Sequence, residues 1–172
     1  MPVRPNMQPL IEYLRHEGNA SETDEYEGVT YWSDQQLQDM LDRISERKVA
    51  PAKVATVDGL IYKLDAPRHY YFDPDTVVLL DENLDEVSAS YTYDELKNEF
   101  TFTSDPEISY VQASFIHFWN AVAELWSMKA THRFQYVDNR AGQNFLKSNQ
   151  EYEHCIERMQ YYRALTIKRW KR

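Results

Sequence analysis

The chain has 172 residues, 42% of them hydrophobic and 27% charged, with a formal net charge of −9. That length sustains one core rather than a comfortable pair of domains, and the composition excludes wholesale disorder. An acidic total also argues against a protein that coats nucleic acid or an anionic membrane with its whole surface.

QPLIEYLRHEG predicts a short first helix, with Leu10, Ile11 and Leu14 on one face and Gly18 as its stop. NASETDEYEGVTY is polar, acidic and aperiodic, and reads as a loop. YWSDQQLQDMLDRISERKVAP gives the clearest helical signal. Ser33 and Gln36 have the spacing of a capping box, and Asp34 suits the positive end of the helix dipole. Leu37, Met40, Leu41 and Ile44 form the apolar stripe. Trp32 is placed to staple onto Leu37 or its neighbour, Arg47 and Lys48 fall in the expected last turn, and Pro51 ends it.

The middle of the chain changes period. GLIYKL (59–64), HYYF (69–72), TVVLL (76–80), EVSASYTY (86–93) and NEFTFTS (98–104) read as short strands. DENLDE (81–86) and YDELKNE (93–99) read as hairpin connections, so a small antiparallel sheet of consecutive hairpins is expected. After Ser104-Asp105-Pro106, a cap and first-turn proline, the pattern predicts a long helix to about Arg133. Its expected face is Ile108, Val111, Phe115, Phe118, Val122, Leu125 and Trp126. FQYVDNRAGQNF, with Gly142, reads as a break. A last helix over about 144–170 would present Phe145, Tyr152, Ile156, Met159 and Tyr162 or Arg163, as one bent rod with its predecessor or as an antiparallel partner.

The expected fold class is therefore α+β: one domain, mainly a helical bundle with long C-terminal helices over 7–50 and 105–170. The small antiparallel sheet would be inserted at about 54–104, and a basic tail would follow at 163–172.

One cysteine, Cys155, rules out an intramolecular disulfide and suits a reducing compartment, with a buried structural thiol as its expected role. The opening residues lack the apolar run of a secretory signal, and no stretch approaches the ~20 apolar residues of a membrane span. Glu151-x-x-His154 has the i, i+3 spacing of di-metal helical sites, but those sites need two such pairs, so a solvated helix face is the better reading. DPDTVVLLDENLDE is rich in carboxylates. Counted from Asp73, its sixth position is Val78 where a calcium loop needs Gly, which favours turn and edge roles. Only four Gly are present, and no phosphate loop, G-x-S-x-G or zinc-ligand spacing occurs. An enzyme, a metal and a cofactor are accordingly not expected.

Charge is divided along the chain. Residues 1–110 hold 9 Lys/Arg against 23 Asp/Glu, a net of −14, and residues 111–172 hold 10 against 5, a net of +5. Five of the last ten residues are basic: Arg163, Lys168, Arg169, Lys171 and Arg172, with Trp170 among them. A helix dipole accounts for one or two of these. An acidic protein groove fits the remainder better than nucleic acid or membrane, with Trp170 as anchor and the charges steering.

The order of motifs carries a resemblance. L-I-x-Y-L-R (Leu10 to Arg15) precedes an acidic loop and a W-S-D-x-x-L-x-x-x-L-D-R helix (Trp32 to Arg43). A β segment comes next with Y-Y-F-x-x-x-x-V-V-L-L-D, Y-T-Y-D and F-T-F, then A-x-E-L-W-x-x-K-A (Ala123 to Ala130), Phe145-Leu146-Lys147-Ser148-Asn149 and a basic terminal helix. Over residues 10–165 this resembles the head–tail connector (adaptor or head-completion) proteins of tailed bacteriophages.

The resemblance implies a structural virion protein of the neck, assembled in the host cytoplasm. It implies a ring of about twelve copies under the portal protein, lengthening the DNA channel and offering a platform to a stopper or tail-completion protein. DNA would pass without sequence-specific binding, and no membrane is involved. Portal docking would fall on Arg163, Lys168, Arg169, Trp170, Lys171 and Arg172. The β segment is larger than a minimal helical adaptor needs. A different tail-completion or cytoplasmic scaffold module is the alternative, and a metal-dependent or hydrolytic enzyme centred on Glu151 and His154 is the third reading.

Overall fold

The computed structural model describes residues 3–22, 24–26, 29–56, 60–64, 70–94, 99–138 and 143–167. The chain divides into two compact units. One joins Met1–Ile44 to Phe118–Arg172, and the other is Ser45–His117.

In the first unit, α1 (Gln8–Glu17) buries Leu10, Ile11 and Leu14, the face its sequence predicted. Two short paired strands, β1 (Glu25–Tyr26) and β2 (Val29–Thr30), lie in the expected loop. The helix α2 (Asp34–Ile44) starts on a formed capping box. The Ser33 N–H donates to Gln36 Oε1 at 2.9 Å, and the Gln36 N–H donates back to Ser33 Oγ at 3.3 Å. Leu37, Met40 and Leu41 are buried.

The strands β3 to β9 belong to the second unit. The unit-one helices α3 (Phe118–Asp138) and α4 (Gln143–Ile167) come after them in the chain. Ring contacts fix the direction of this pair: Trp119 stacks on Tyr162 at 5.4 Å, and Trp126 meets His154 edge-on at 5.7 Å. Residue numbers that rise on one helix while falling on the other describe an antiparallel hairpin. Tyr13 of α1 stacks on Phe118 of α3 at 4.4 Å, closing the helical core.

The second unit is a seven-stranded antiparallel sheet: β3 (Ser45–Val54), β4 (Ile61–Leu64), β5 (Tyr70–Phe72), β6 (Val78–Leu80), β7 (Tyr91–Asp94), β8 (Glu99–Phe102) and β9 (Tyr110–His117). The order is β5-β9-β3-β4-β8-β7, with β6 also paired to β9. β5 and β6 share one edge of β9 end to end, joined by a single 3-10 turn at Pro74–Thr76 that the Asp73 carboxylate caps. The inward face carries Tyr62, Leu64, Phe72, Phe100, Phe102, Val111, Ala113 and Phe115.

This sheet overturns the expected mainly helical bundle with a small β insertion. The difference lies in two segments. Residues 45–51, expected to continue α2, form the first part of β3 and pair with β9 from Ser45↔Ile116 to Pro51↔Tyr110. The apolar stripe of α2 has no successor after Ile44, because the next helical positions hold Arg47 and Lys48. Pro51 is tolerated because the neighbouring Ala52 N–H bonds to Ser109 at 2.9 Å, which puts Pro51 in a non-bonded pair with Tyr110.

Residues 108–117 were expected to open the long helix. Val111, Ala113 and Phe115 instead alternate into the core as strand residues. A spacing of four satisfies both a 3.6-residue and a two-residue period, so Val111 and Phe115 fit either. The long helix begins only at Phe118. Asp105 caps a turn rather than a helix, accepting the Glu107 N–H at 2.9 Å.

Candidate interaction surfaces

Of the basic residues expected to dock a partner, the described structure includes Arg163, exposed on the last turns of α4. Lys168, Arg169, Trp170, Lys171 and Arg172 lie outside the described residues. The residue before Arg163 is fastened: Tyr162 is buried, stacks on Trp119, and donates its hydroxyl to Glu17 Oε2 at 2.9 Å. Burial first, then that bond to a carboxylate, pushes the Tyr162 hydroxyl up to about 12. Tyr162 rather than Arg163 therefore carries the inward face of α4, which runs on past Arg163 to Ile167 with Leu165 and Thr166 half-buried.

A second polar node organises the loop after α1. Lys129 is buried on α3 with its side chain 8% exposed. Its ammonium donates to the Asn19 carbonyl, stands 3.6 Å from Asp24 and lies over the rings of Trp126 and Trp32 at 5.2 and 5.9 Å. A buried cation needs such compensation. Trp32, expected to staple near Leu37, also meets the His132 ring at 6.2 Å, with φ at 67°. Arg15 bonds Asp34 at 2.6 Å and, by that bond first, holds its carboxyl below the usual range.

In the sheet unit, Tyr62 donates to Asp105 at 2.5 Å. Burial, then this bond, pushes the Tyr62 hydroxyl up to about 12, while the same bond lowers Asp105. A phenol so raised and a carboxylate so lowered are poorly matched to exchanging protons near neutrality. His117 is pushed down, chiefly by burial and then by Lys48, with Glu46 opposing. The carboxylates of DPDTVVLLDENLDE have structural work: Asp73 caps its 3-10 turn, and Asp81 Oδ1 accepts the N–H groups of Asn83 and Asp85 at 2.8 and 2.9 Å. Cys155 is buried, as expected. Glu151 and His154 share α4, with His154 exposed against the edge of Trp126. Among the described residues, no group of three or more His, Cys, Asp and Glu is placed to hold a metal ion. Likewise, no described helix is long and apolar enough to cross a membrane.

The charge division parallels the structural one. Residues 45–117 hold 6 Lys/Arg against 14 Asp/Glu, a net of −8, whereas residues 118–172, which supply α3 and α4, carry +5. Sequence reading missed the outward face of β3, where Arg47, Val49, Pro51 and Lys53 are all exposed. The signal is the alternation of Val49, Pro51 and Lys53 with Ala50 and Ala52, which Lys48 interrupts and a helix end at Pro51 conceals. Compared with family models, curated proteins and solved structures, the chain finds no match.

Proposed function

We propose that this chain is a structural virion protein, a head–tail connector adaptor that forms a ring under the portal protein of a tailed bacteriophage. It extends the DNA channel and offers a platform to a stopper or tail-completion protein. The reading is supported by the order of motifs along the chain and by one observation above all: positive charge is concentrated in residues 118–172, the helical hairpin and the C-terminal residues beyond it. That segment carries +5 in a molecule of −9. The hairpin is fastened through Tyr162, and the basic residues begin at the next position. A cationic end of this kind suits an anionic groove on a neighbouring protein. The acidic remainder suits a channel that does not grip passing DNA. The seven-stranded sheet lies outside what the resemblance implies, so the proposal rests on the helical elements.

The test is neutralisation of the docking residues. Gln at Arg163, Lys168, Arg169, Lys171 and Arg172, with Ala at Trp170, should abolish co-sedimentation with portal rings and leave the circular dichroism spectrum unchanged. Undiminished portal binding by that variant overturns the docking assignment. Electron microscopy of labelled particles separates a neck adaptor from a tail-completion or cytoplasmic scaffold module.

A further inference from the structure

β7 is the last strand at one end of the sheet order, and its extended backbone begins before its ladder does. Burial alternates without a break from Val87 to Tyr93. Val87, Ala89, Tyr91 and Tyr93 pack on the core, while Ser88, Ser90 and Thr92 are exposed. Register fixes where the backbone groups point. Phe102 donates its N–H to Leu60 at 2.8 Å, on the β4 side, so its pair with Tyr91 is a non-bonded one and Tyr91 faces away from β8. Val87 donates to Leu79 at 2.8 Å, which holds the head of the segment against β6. Ala89 lies between them in the same phase. The N–H and C=O of Ala89 and Tyr91 therefore line one open edge, and among the described residues none of these groups is hydrogen-bonded.

Such edges are ordinarily guarded by charge or proline. The part of β3 that pairs with β9 alone carries Arg47, Lys48 and Pro51. Between Val87 and Tyr93 there is neither a charged residue nor a proline. Glu82, Asp85 and Glu86 are exposed just ahead of this stretch, and no described group forms an ion pair with them. We infer that this edge takes an extended segment of a partner protein by strand addition, backbone to backbone along Ala89 and Tyr91, with a basic residue of that segment against Asp85 and Glu86. A second copy fits less well. The antiparallel register that satisfies Ala89 and Tyr91 of both copies pairs 89 with 91, and so sets Glu86 against Asp94, carboxylate against carboxylate. This edge is then the platform that the proposed adaptor offers to a stopper or tail-completion protein, and the partner's identity rests on that reading. The segment is held at both ends, so binding orders the partner's strand alone.

The probe is a short fluorescent peptide of alternating valine and threonine with lysine at each end, titrated into the whole chain and read by anisotropy. It should bind at low salt and weaken as salt is added. The same peptide with glutamate ends should bind about tenfold more weakly or worse. One N-methylated along its centre should not bind, since it lacks the backbone donors. Ala89→Pro removes an N–H that has no partner in the fold, so the circular dichroism spectrum should hold while peptide binding is lost. The peptide comparison needs no substitution in the chain, so it decides the case even where Ala89→Pro unfolds. Equal binding of the N-methylated peptide, or of the unmodified peptide to Ala89→Pro, overturns the strand addition. So does a chain that binds none of the peptides. Self-association that disappears in Ala89→Pro assigns the edge to a second copy and overturns the partner assignment. Portal docking through 163–172 is read by co-sedimentation, so the two proposals fail independently.

Discussion

At the end of α1 two adjacent residues divide a task that glycine often performs alone. Asn19, not Gly18, takes the left-handed conformation, with φ at 48°. Its N–H bonds to His16 and that of Ala20 bonds to Arg15, the paired bonds of a Schellman closure. Gly18 is in the right-handed region and is needed for space. A Cβ there would stand 1.8 Å from Leu125 Cδ2 and 3.0 Å from the Leu14 carbonyl, and Leu125 is fully buried. Gly18→Ala should therefore destabilise the protein by about 1–3 kcal/mol in denaturant titration, against the usual gain of Ala over Gly near a helix. His117 sets a second expectation at this scale. Its folded pKa lies below its ordinary value, so the folded state takes up its proton later than the unfolded state. Stability should be full above the unfolded value of ~6.5 and decline as pH falls below it. His117→Gln should flatten that part of a pH series of melting temperatures. The losses from Asp34, Asp81 and Asp105, whose pKa values are lowered, begin only as pH falls below about 4.

At the scale of elements, the local signals that proved readable were those with one physical meaning. The Ser33 to Gln36 box formed as its spacing requires, and Ser33→Ala should cost about 1 kcal/mol by chemical denaturation. The apolar stripes of α1 and α2 and the segments of β4, β5, β6 and β8 were legible for the same reason: only one period fits them. The misreadings fell where two periods coincide or where propensity outweighed pattern. Val111 and Phe115 fit both spacings, and the intervening Ala113 is small enough to pass as a neutral helical residue. Ser45 to Lys48 favour helix locally, but the ladder to β9 prevails. The candidate surfaces were legible only in part. The basic tail stood out in composition, whereas the outward stripe of β3 needed the register to reveal it. Pro51 shows how narrow the margin is: the pairs bonded to β9 fall on even residues, and β4 joins β3 only from Ala52, so proline is tolerated at 51. At Ala50, paired with Val111, proline would remove a ladder bond to β9 and clash within the sheet.

For the whole molecule, the path of the chain determines how the two units can be separated. Ser45 and Ile116 are paired partners at the start of β3 and the end of β9, so the sheet unit leaves the helical unit and returns to it at neighbouring points. Insertions with close ends are tolerated because the host is not required to bridge a gap. Each unit also has its own core: Leu14, Leu37, Phe118 and Leu125 in the helical unit, and Tyr62, Phe100, Val111 and Phe115 in the sheet. Replacing residues 45–117 with a short Gly/Ser linker should leave a helical protein that still unfolds in one cooperative transition. The isolated 45–117 segment should give a β-type circular dichroism spectrum. The excision also redistributes charge, since it removes −8 of the total −9 and leaves a chain near neutrality with its basic end intact. If portal docking belongs to that end, the excised chain retains it. Co-sedimentation of this one variant with portal rings checks that outcome.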